Sequence, residues 1–231
     1  MNYATVKKTD VANGPGIRVS LFVSGCTHFC KGCFNSEAWD FSYGKEFTKE
    51  TEEEILKALE PSYIRGFSVL GGEPMEPENR ETVCRLLERI RDVRPEKDIW
   101  CYTGYDYEKD LLRWEQEERE RAGAAQGGES GGRQTGAEAG DCGQNAENGG
   151  MAGAEAADGV PGTVGRLLSL IDVLVDGEFV EEKKNLRLVF RGSENQRLID
   201  VKKSRAEGRT VCLPLQEKNS IFSIKTSGGN G

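Results

Sequence analysis

The stretch Arg18–Phe34, RVSLFVSGCTHFCKGCF, joins a short apolar run to a loop that carries three cysteines. The run Arg18–Val23 is short, apolar and rich in valine, which is typical of a buried strand. Cys26, Cys30 and Cys33 follow with the spacing C-x3-C-x2-C. Ligands in parallel α/β folds bind at the carboxyl ends of strands. The stretch therefore predicts a strand that delivers a site at its end.

Three thiolates in so short a loop can converge on one small metal centre. Thiolates suit both iron–sulfur clusters and zinc. A structural zinc ion or an electron-transfer cluster normally takes a fourth protein ligand, and His28, the one histidine, would have to bend back on its own loop. We therefore expect a [4Fe–4S] cluster with one open iron, with the other two centres as alternatives. The remaining cysteines are scattered along the chain, at Cys84, Cys101, Cys142 and Cys212.

Strands and helices are predicted to alternate along the chain. Helices are predicted from a capping box at Thr51, over apolar positions between 83 and 93, and over 107–121. Such alternation indicates a parallel α/β sheet. Beyond Arg18–Val23, buried strands are predicted at 66–70, 98–102 and 170–175, with weaker candidates at 186–190 and 198–201.

A glycine-rich turn, Gly71-Gly72-Glu73-Pro74, follows the second strand. Glycines let the backbone come close to a ligand. The backbone carbonyls and the Glu73 carboxylate would accept charge-assisted hydrogen bonds from an ammonium group. Alone, the turn is equally well explained as a simple link from strand to helix.

The two motifs together resemble the radical S-adenosylmethionine superfamily. The cysteine spacing matches the cluster loop of that superfamily, and the turn matches its GGE motif, which lies about forty residues further on. The resemblance implies that Gly71, Gly72 and Glu73 bind the amino group of S-adenosylmethionine. It also implies cofactor contacts for Gly32, Cys33 and Phe34, where Phe34 would touch the adenine.

Further segments narrow the resemblance. Together they are similar to the anaerobic ribonucleoside-triphosphate reductase activating proteins, which are activases of glycyl-radical enzymes. The similarity covers about Asn2–Arg121 and Leu167–Val201. The segments that carry it are Asn13–Arg18 (NGPGIR), Leu21–Cys26 (LFVSGC), Gly32–Asn35 (GCFN), Trp100–Tyr105 (WCYTGY), Asp172–Phe179 (DVLVDGEF) and Arg191–Arg197 (RGSENQR).

The resemblance implies a reaction and a shape. One [4Fe–4S] cluster, reduced by a low-potential donor such as flavodoxin, would cleave S-adenosylmethionine to methionine and a 5′-deoxyadenosyl radical. That radical would take a hydrogen atom from a glycine of the reductase large subunit. Because the substrate is a loop of another protein, we expect an incomplete β/α barrel of the radical S-adenosylmethionine type, open on one side. The alternatives are a pyruvate formate-lyase-type activase, a small-molecule radical enzyme or a zinc-scaffolded interaction module.

Three more residues lie at predicted strand ends on the same side of the sheet. Tyr102, Thr103 and Asp176 are expected to position the cofactor or the incoming glycine loop. Asp176-Gly177 is also compatible with a plain turn. Asn195 and Gln196 either bind the partner backbone or cap local structure.

The predicted organisation is one core domain over residues 1–121 and 163–203. Residues 122–162 are rich in Gly, Ala and Glu and are expected to be a disordered insertion, and residues 204–231 a mostly flexible tail. The net charge of −8 argues against general binding to nucleic acid or an anionic membrane. The absence of a secretory signal or a long apolar run predicts a cytoplasmic protein.

Overall fold

The computed structural model describes residues 1–126 and 162–214. These residues form a mixed α/β fold around one seven-stranded sheet that does not close on itself. The strand order across the sheet is β3-β1-β2-β4-β5-β6-β7. The strands are β1 Asn2–Asp10, β2 Ile17–Val23, β3 Lys45–Glu46, β4 Ile64–Gly71, β5 Asp98–Tyr102, β6 Val173–Asp176 and β7 Arg197–Asp200.

The centre of the sheet is parallel and its edges are antiparallel. Strands β2, β4, β5 and β6 run in the same direction, so their carboxyl ends lie along one edge of the sheet. Strand β1 is antiparallel to β2, β3 is antiparallel to β1, and β7 is antiparallel to β6. The predicted α/β class is confirmed, and the predicted parallel pairing holds for the four central strands.

Five α-helices accompany these strands in the described parts of the chain. They are α1 Lys49–Ala58, α2 Pro77–Val93, α3 Arg113–Gln126, α4 Thr163–Leu170 and α5 Val201–Glu207. A π-helical segment, Tyr107–Leu112, leads directly into α3. No described helix is both long and apolar enough to cross a membrane.

Successive side chains of β2 point to opposite faces of the sheet. Val19, Leu21 and Val23 are fully buried in the main core, which also holds the apolar side of α2. Arg18 and Ser20 lie on the opposite face and are fully buried as well. A strand buried on both faces has few exposed positions, which explains the nearly continuous apolar run in the sequence.

Several predicted boundaries were wrong. Helix α1 begins at Lys49 and is capped by the hydroxyl of Thr48, which accepts a hydrogen bond from the Thr51 amide at 3.4 Å. The capping box predicted at Thr51 is therefore absent from that position. Residues 186–190 form turns instead of a strand, and Phe190 has a φ of +60°.

The two predicted flexible segments are partly ordered. Residues 122–126 continue α3, and residues 204–207 belong to α5. The segment 211–213 extends the sheet edge at β7. The backbone amide of Asp200 donates to the Val211 carbonyl at 2.9 Å, and the backbone amide of Leu213 donates to the Leu198 carbonyl at 2.7 Å. The rest of the predicted insertion, including Cys142, and the rest of the predicted tail lie outside the described residues.

Candidate active site

The three-cysteine loop begins directly after β2. Cys26 is buried, whereas Cys30 and Cys33 are partly exposed. The loop turns tightly, because the Cys33 amide donates to the Cys30 carbonyl at 3.1 Å and Gly32 has a φ of +73°. Phe29 has a φ of +50°, which is uncommon for a residue other than glycine.

The three thiols do not all lie close enough together, as they stand, for one small ion to touch them all. Within residues 1–126 and 162–214, the one group of three potential metal-binding side chains within 4.8 Å of one another is Asp106, Glu108 and Asp176, so the three cysteine sulfurs do not form such a group. Two sulfurs on one zinc ion lie at most about 4.6 Å apart, since each Zn–S bond is about 2.3 Å. Three thiolates in one short loop are a donor set that suits an iron–sulfur cluster.

Burial favours the protonated form of two of these thiols, Cys26 and Cys30. Burial, together with the nearby Glu73 carboxylate, raises the pKa of Cys26 to about 12. Burial also raises the pKa of Cys30. Metal ligation requires the thiolate, so a bound cluster must displace these protons.

The Gly71–Glu73 turn packs directly against the start of the cysteine loop. The Gly72 amide donates to the Val23 carbonyl at 2.7 Å, and the Glu73 amide donates to the Gly25 carbonyl at 2.8 Å. Gly71 has a φ of +113°, a conformation that favours glycine. The structure thus brings together the two motifs that the sequence predicted to share a site.

Replacing Gly72 with alanine should displace the cysteine loop. A Cβ there would lie 2.5 Å from the Gly25 carbonyl oxygen and 2.9 Å from that of Ala38, and backbone atoms cannot rotate away. We expect the iron content after anaerobic reconstitution to fall below about half, because packed structures relax only partially.

The matched control is Gly123→Ala, whose added Cβ meets nothing within 4 Å. That variant should keep its iron and stabilise α3 by about 0.5–1 kcal/mol. A Gly72→Ala protein with full iron content would show that the packing of the turn is not needed for the site.

The Glu73 carboxylate is only 1% exposed and already has three protein partners. Its Oε1 accepts from the Met75 amide at 2.8 Å. Its Oε2 accepts from the Gly104 amide at 2.7 Å and lies 3.2 Å from Nε2 of His28. Its predicted contact with the cofactor ammonium stays a prediction.

His28 is the central residue that the sequence reasoning missed. Its Nδ1 lies 3.0 Å from Glu178, and its ring packs edge-on against Tyr105 at 4.4 Å. Desolvation lowers the pKa of His28, but the hydrogen bonds and charges of Glu73 and Glu178 outweigh it and raise the pKa to about 9. Glu178 is 150 residues away in sequence, so no local pattern could have indicated this contact.

The predicted positioning residues have different surroundings. The Tyr102 hydroxyl is buried without a hydrogen-bond partner among the described residues. The Thr103 hydroxyl accepts from the Tyr105 amide at 3.1 Å. The Phe34 ring is exposed and lies 5.2 Å from the ring of Phe179.

Asp176 is buried and engaged by the protein itself. Its carboxylate accepts from Nε of Arg197 at 3.0 Å and from the Tyr107 amide at 3.0 Å. Arg197 also donates to both carboxylate oxygens of Glu108, at 3.0 and 2.6 Å. This network joins the ends of β6 and β7 to the π-helical segment. The Arg197 guanidinium neutralises the cluster of Asp106, Glu108 and Asp176 carboxylates, which would otherwise resemble a cation site.

Asn195 and Gln196 hold the loop that follows β6. The Asn195 amide nitrogen donates to the Glu178 carbonyl at 2.8 Å. The Gln196 side chain donates to the Gly177 carbonyl at 2.9 Å and accepts from the Gly192 amide at 2.8 Å. Both side chains therefore cap local structure, which was one of the two roles expected of them.

Glu108 predicts a pH dependence of stability. Burial raises the pKa of Glu108, but hydrogen bonds from Arg197 and Thr210 outweigh it and lower the pKa from 4.5 to about 2. A carboxyl group with a depressed folded pKa contributes stability that is present above its unfolded pKa and lost as the pH falls through its folded pKa. The stability that Glu108 contributes should therefore be lost as the pH falls from about 4.5 to about 2.

Glu108→Gln should lower the free energy of unfolding in urea at pH 7, and the difference from the unchanged protein should be smaller at pH 3.5. The variant and the unchanged protein contain the same other titrating groups. A change with pH in the difference between their free energies of unfolding therefore reports on Glu108. A difference that does not vary with pH would contradict the assigned shift.

Comparison with known proteins identifies the family of this chain. Residues 12–121 and 151–199 match the model of a family described as a 4Fe-4S single cluster domain. The chain is also 37% identical over 198 residues to the anaerobic ribonucleoside-triphosphate reductase-activating protein of Vibrio cholerae, covering 85% of this chain and 96% of that protein. It belongs to the family of these activating proteins.

Other members of the activating-protein family are similar over the same extent. The member from Escherichia coli K12 is 34% identical over 198 residues, covering 85% of this chain and 96% of its own. The member from Enterobacteria phage T4 is 33% identical over 200 residues, covering 86% of this chain and 93% of its own. The family resemblance drawn from the sequence motifs is confirmed.

Proposed function

We propose that this chain activates anaerobic ribonucleoside-triphosphate reductase by generating a glycyl radical on its large subunit. The observation that carries the proposal is the direct packing of the cysteine loop on the Gly71–Glu73 turn, at the carboxyl ends of the adjacent strands β2 and β4. Family membership supplies the identity of the protein substrate.

Each motif has a separate task in this proposal. Cys26, Cys30 and Cys33 would hold one [4Fe–4S] cluster, and because the loop has no fourth cysteine, one iron would be left for S-adenosylmethionine. Gly71, Gly72 and Glu73 bind the cofactor amino group, and Gly32, Cys33 and Phe34 lie along the rest of the cofactor. When bound, the cluster supplies one electron to the sulfonium, which gives methionine and the 5′-deoxyadenosyl radical that takes a hydrogen atom from the glycine.

The open sheet suits a substrate that is itself a protein loop. We interpret the sheet as an incomplete barrel of the radical S-adenosylmethionine type, built from a single core over 1–121 and 163–203. The Tyr102 hydroxyl is buried and has no hydrogen-bond partner among the described residues, and we assign Tyr102 a role in positioning the cofactor or the glycine loop from within the sheet. Thr103 and Asp176 support that end of the sheet, Asp176 through Arg197 and the Tyr107 amide.

The electron comes from a separate low-potential protein of the flavodoxin type. The net charge of −8 disfavours binding to nucleic acid or to an anionic membrane, and the proposed location is the cytoplasm. An activase for another glycyl-radical enzyme would share the same cluster and cofactor, and would differ only in the protein that accepts the radical.

Anaerobic reconstitution followed by reduction with dithionite in the presence of S-adenosylmethionine tests the cofactor part of the proposal. The brown protein should hold about four irons per chain and form 5′-deoxyadenosine. A colourless protein that holds stoichiometric zinc after the same treatment would establish the zinc-scaffold alternative instead.

A further inference from the structure

His28 joins four strand ends through one side chain. It lies in the loop after β2 and contacts Glu73 after β4, Tyr105 after β5 and Glu178 after β6. Its side chain is only 9% exposed. Gly104 allows the approach, because a Cβ at that position would lie 2.5 Å from the imidazole ring.

The hydrogen bonds around Glu73 leave one acceptor position free. Each carboxylate oxygen accepts about two hydrogen bonds. Oε2 uses both positions, for the Gly104 amide and for His28, while Oε1 uses one, for the Met75 amide. The remaining position on Oε1 has no donor among the described residues, and with the side chain only 1% exposed it is accessible only to a group inserted directly against the turn.

We propose that His28 is a positioning residue that fixes the Glu73 carboxylate so that this free position receives the ammonium group of S-adenosylmethionine. The inference rests on the proposed function, in which Glu73 binds that group. His28 acts through Glu73, while Glu178, on the other ring nitrogen, sets the orientation of the imidazole. Groups that orient a ligating or binding side chain typically change affinity by about 10- to 100-fold when they are replaced.

Two amide substitutions separate the two contacts of the ring. The amide nitrogen of glutamine reaches the place of Nε2 and keeps the bond to Glu73, whereas that of asparagine reaches the place of Nδ1 and keeps the bond to Glu178. We expect His28→Asn to raise the KM for S-adenosylmethionine by about 10- to 100-fold with a smaller change in kcat at saturation. His28→Gln should stay within about threefold of the unchanged protein, because the Glu73 bond survives.

Two further measurements distinguish positioning from a structural role. Iron content should be the same in both variants and in the unchanged protein. The change that S-adenosylmethionine causes in the electron paramagnetic resonance signal of the reduced cluster should require more cofactor in His28→Asn. Lys31→Gln is the matched control, since Lys31 lies in the same loop, is 81% exposed and pairs with Glu181 instead.

An unchanged KM in His28→Asn, an equal rise in both variants, or a loss of iron from both would overturn the inference. Each result would mean that His28 does not act through Glu73. These outcomes differ from failure of the proposed function, in which the unchanged protein with its full cluster would form no 5′-deoxyadenosine.

Discussion

Replacing Cys26, Cys30 or Cys33 with serine should reduce the formation of 5′-deoxyadenosine below detection. The loop supplies only three thiolates, so the loss of any one leaves two ligands for a four-iron cluster. The cofactor carries the difficult chemistry and the protein orients it, so the reaction should stop when the cluster is lost. Iron content measured after anaerobic reconstitution should fall in parallel from about four per chain to less than about one.

Cys212→Ser is the matched control for these variants. Cys212 is exposed, and it lies beside β7 and outside the cysteine loop. This substitution should leave both iron content and 5′-deoxyadenosine formation unchanged. Equal loss in the control, or a full cluster in any of the three loop variants, would contradict the assignment of the ligands.

Arg18→Met should lower the free energy of unfolding by about 3 kcal/mol, because the substitution leaves buried acceptors of Arg18 without a donor. The Arg18 guanidinium is fully buried and lies 2.5 Å from the Asp98 carboxylate. It also donates to the Phe67 carbonyl and to the Ser68 hydroxyl, each at 2.7 Å. Methionine fills similar volume but leaves these buried acceptors without a donor.

Arg65→Ala provides the comparison, because Arg65 pairs with the same carboxylate at 2.8 Å but is 66% exposed. An exposed pair of this kind contributes about 0–1 kcal/mol. Anaerobic urea unfolding of both variants measures the difference. Equal destabilisation by the two substitutions would show that burial of Arg18 does not matter. The segment Asn13–Arg18 (NGPGIR), which contributed to the family resemblance, ends in Arg18, and this residue links β2 to its parallel neighbours β4 and β5.

The parts of the fold that were predictable are those whose signal is local. Strand β5 was predicted with its observed ends because its residues are buried on both faces of the sheet. Strand β1 was missed, since its alternation of buried and exposed residues is weak and it ends in Lys7, Lys8, Thr9 and Asp10. Leu170 and Ile171 looked like part of β6 because α4 ends in an apolar run and only Ile171 and Asp172 separate it from the strand.

The same distinction holds for the site. The cysteine loop and the Gly71–Glu73 turn are short motifs, and their spacing was sufficient to predict that they meet. The partners of Asp176 and His28 were not predictable, because Arg197 and Glu178 reach them only through the pairing and loops of β6 and β7. Long-range hydrogen bonds of single side chains leave no periodic trace in a sequence.

The most direct test of the proposed activity is electron paramagnetic resonance after the reconstituted protein is incubated with a reductant, S-adenosylmethionine and anaerobic ribonucleoside-triphosphate reductase. We expect a glycyl-radical signal on the reductase that requires all three additions. The same mixture prepared with Cys30→Ser should give no signal. Formation of 5′-deoxyadenosine by the unchanged protein without a glycyl radical on the reductase would contradict the account, because the radical would then have another target.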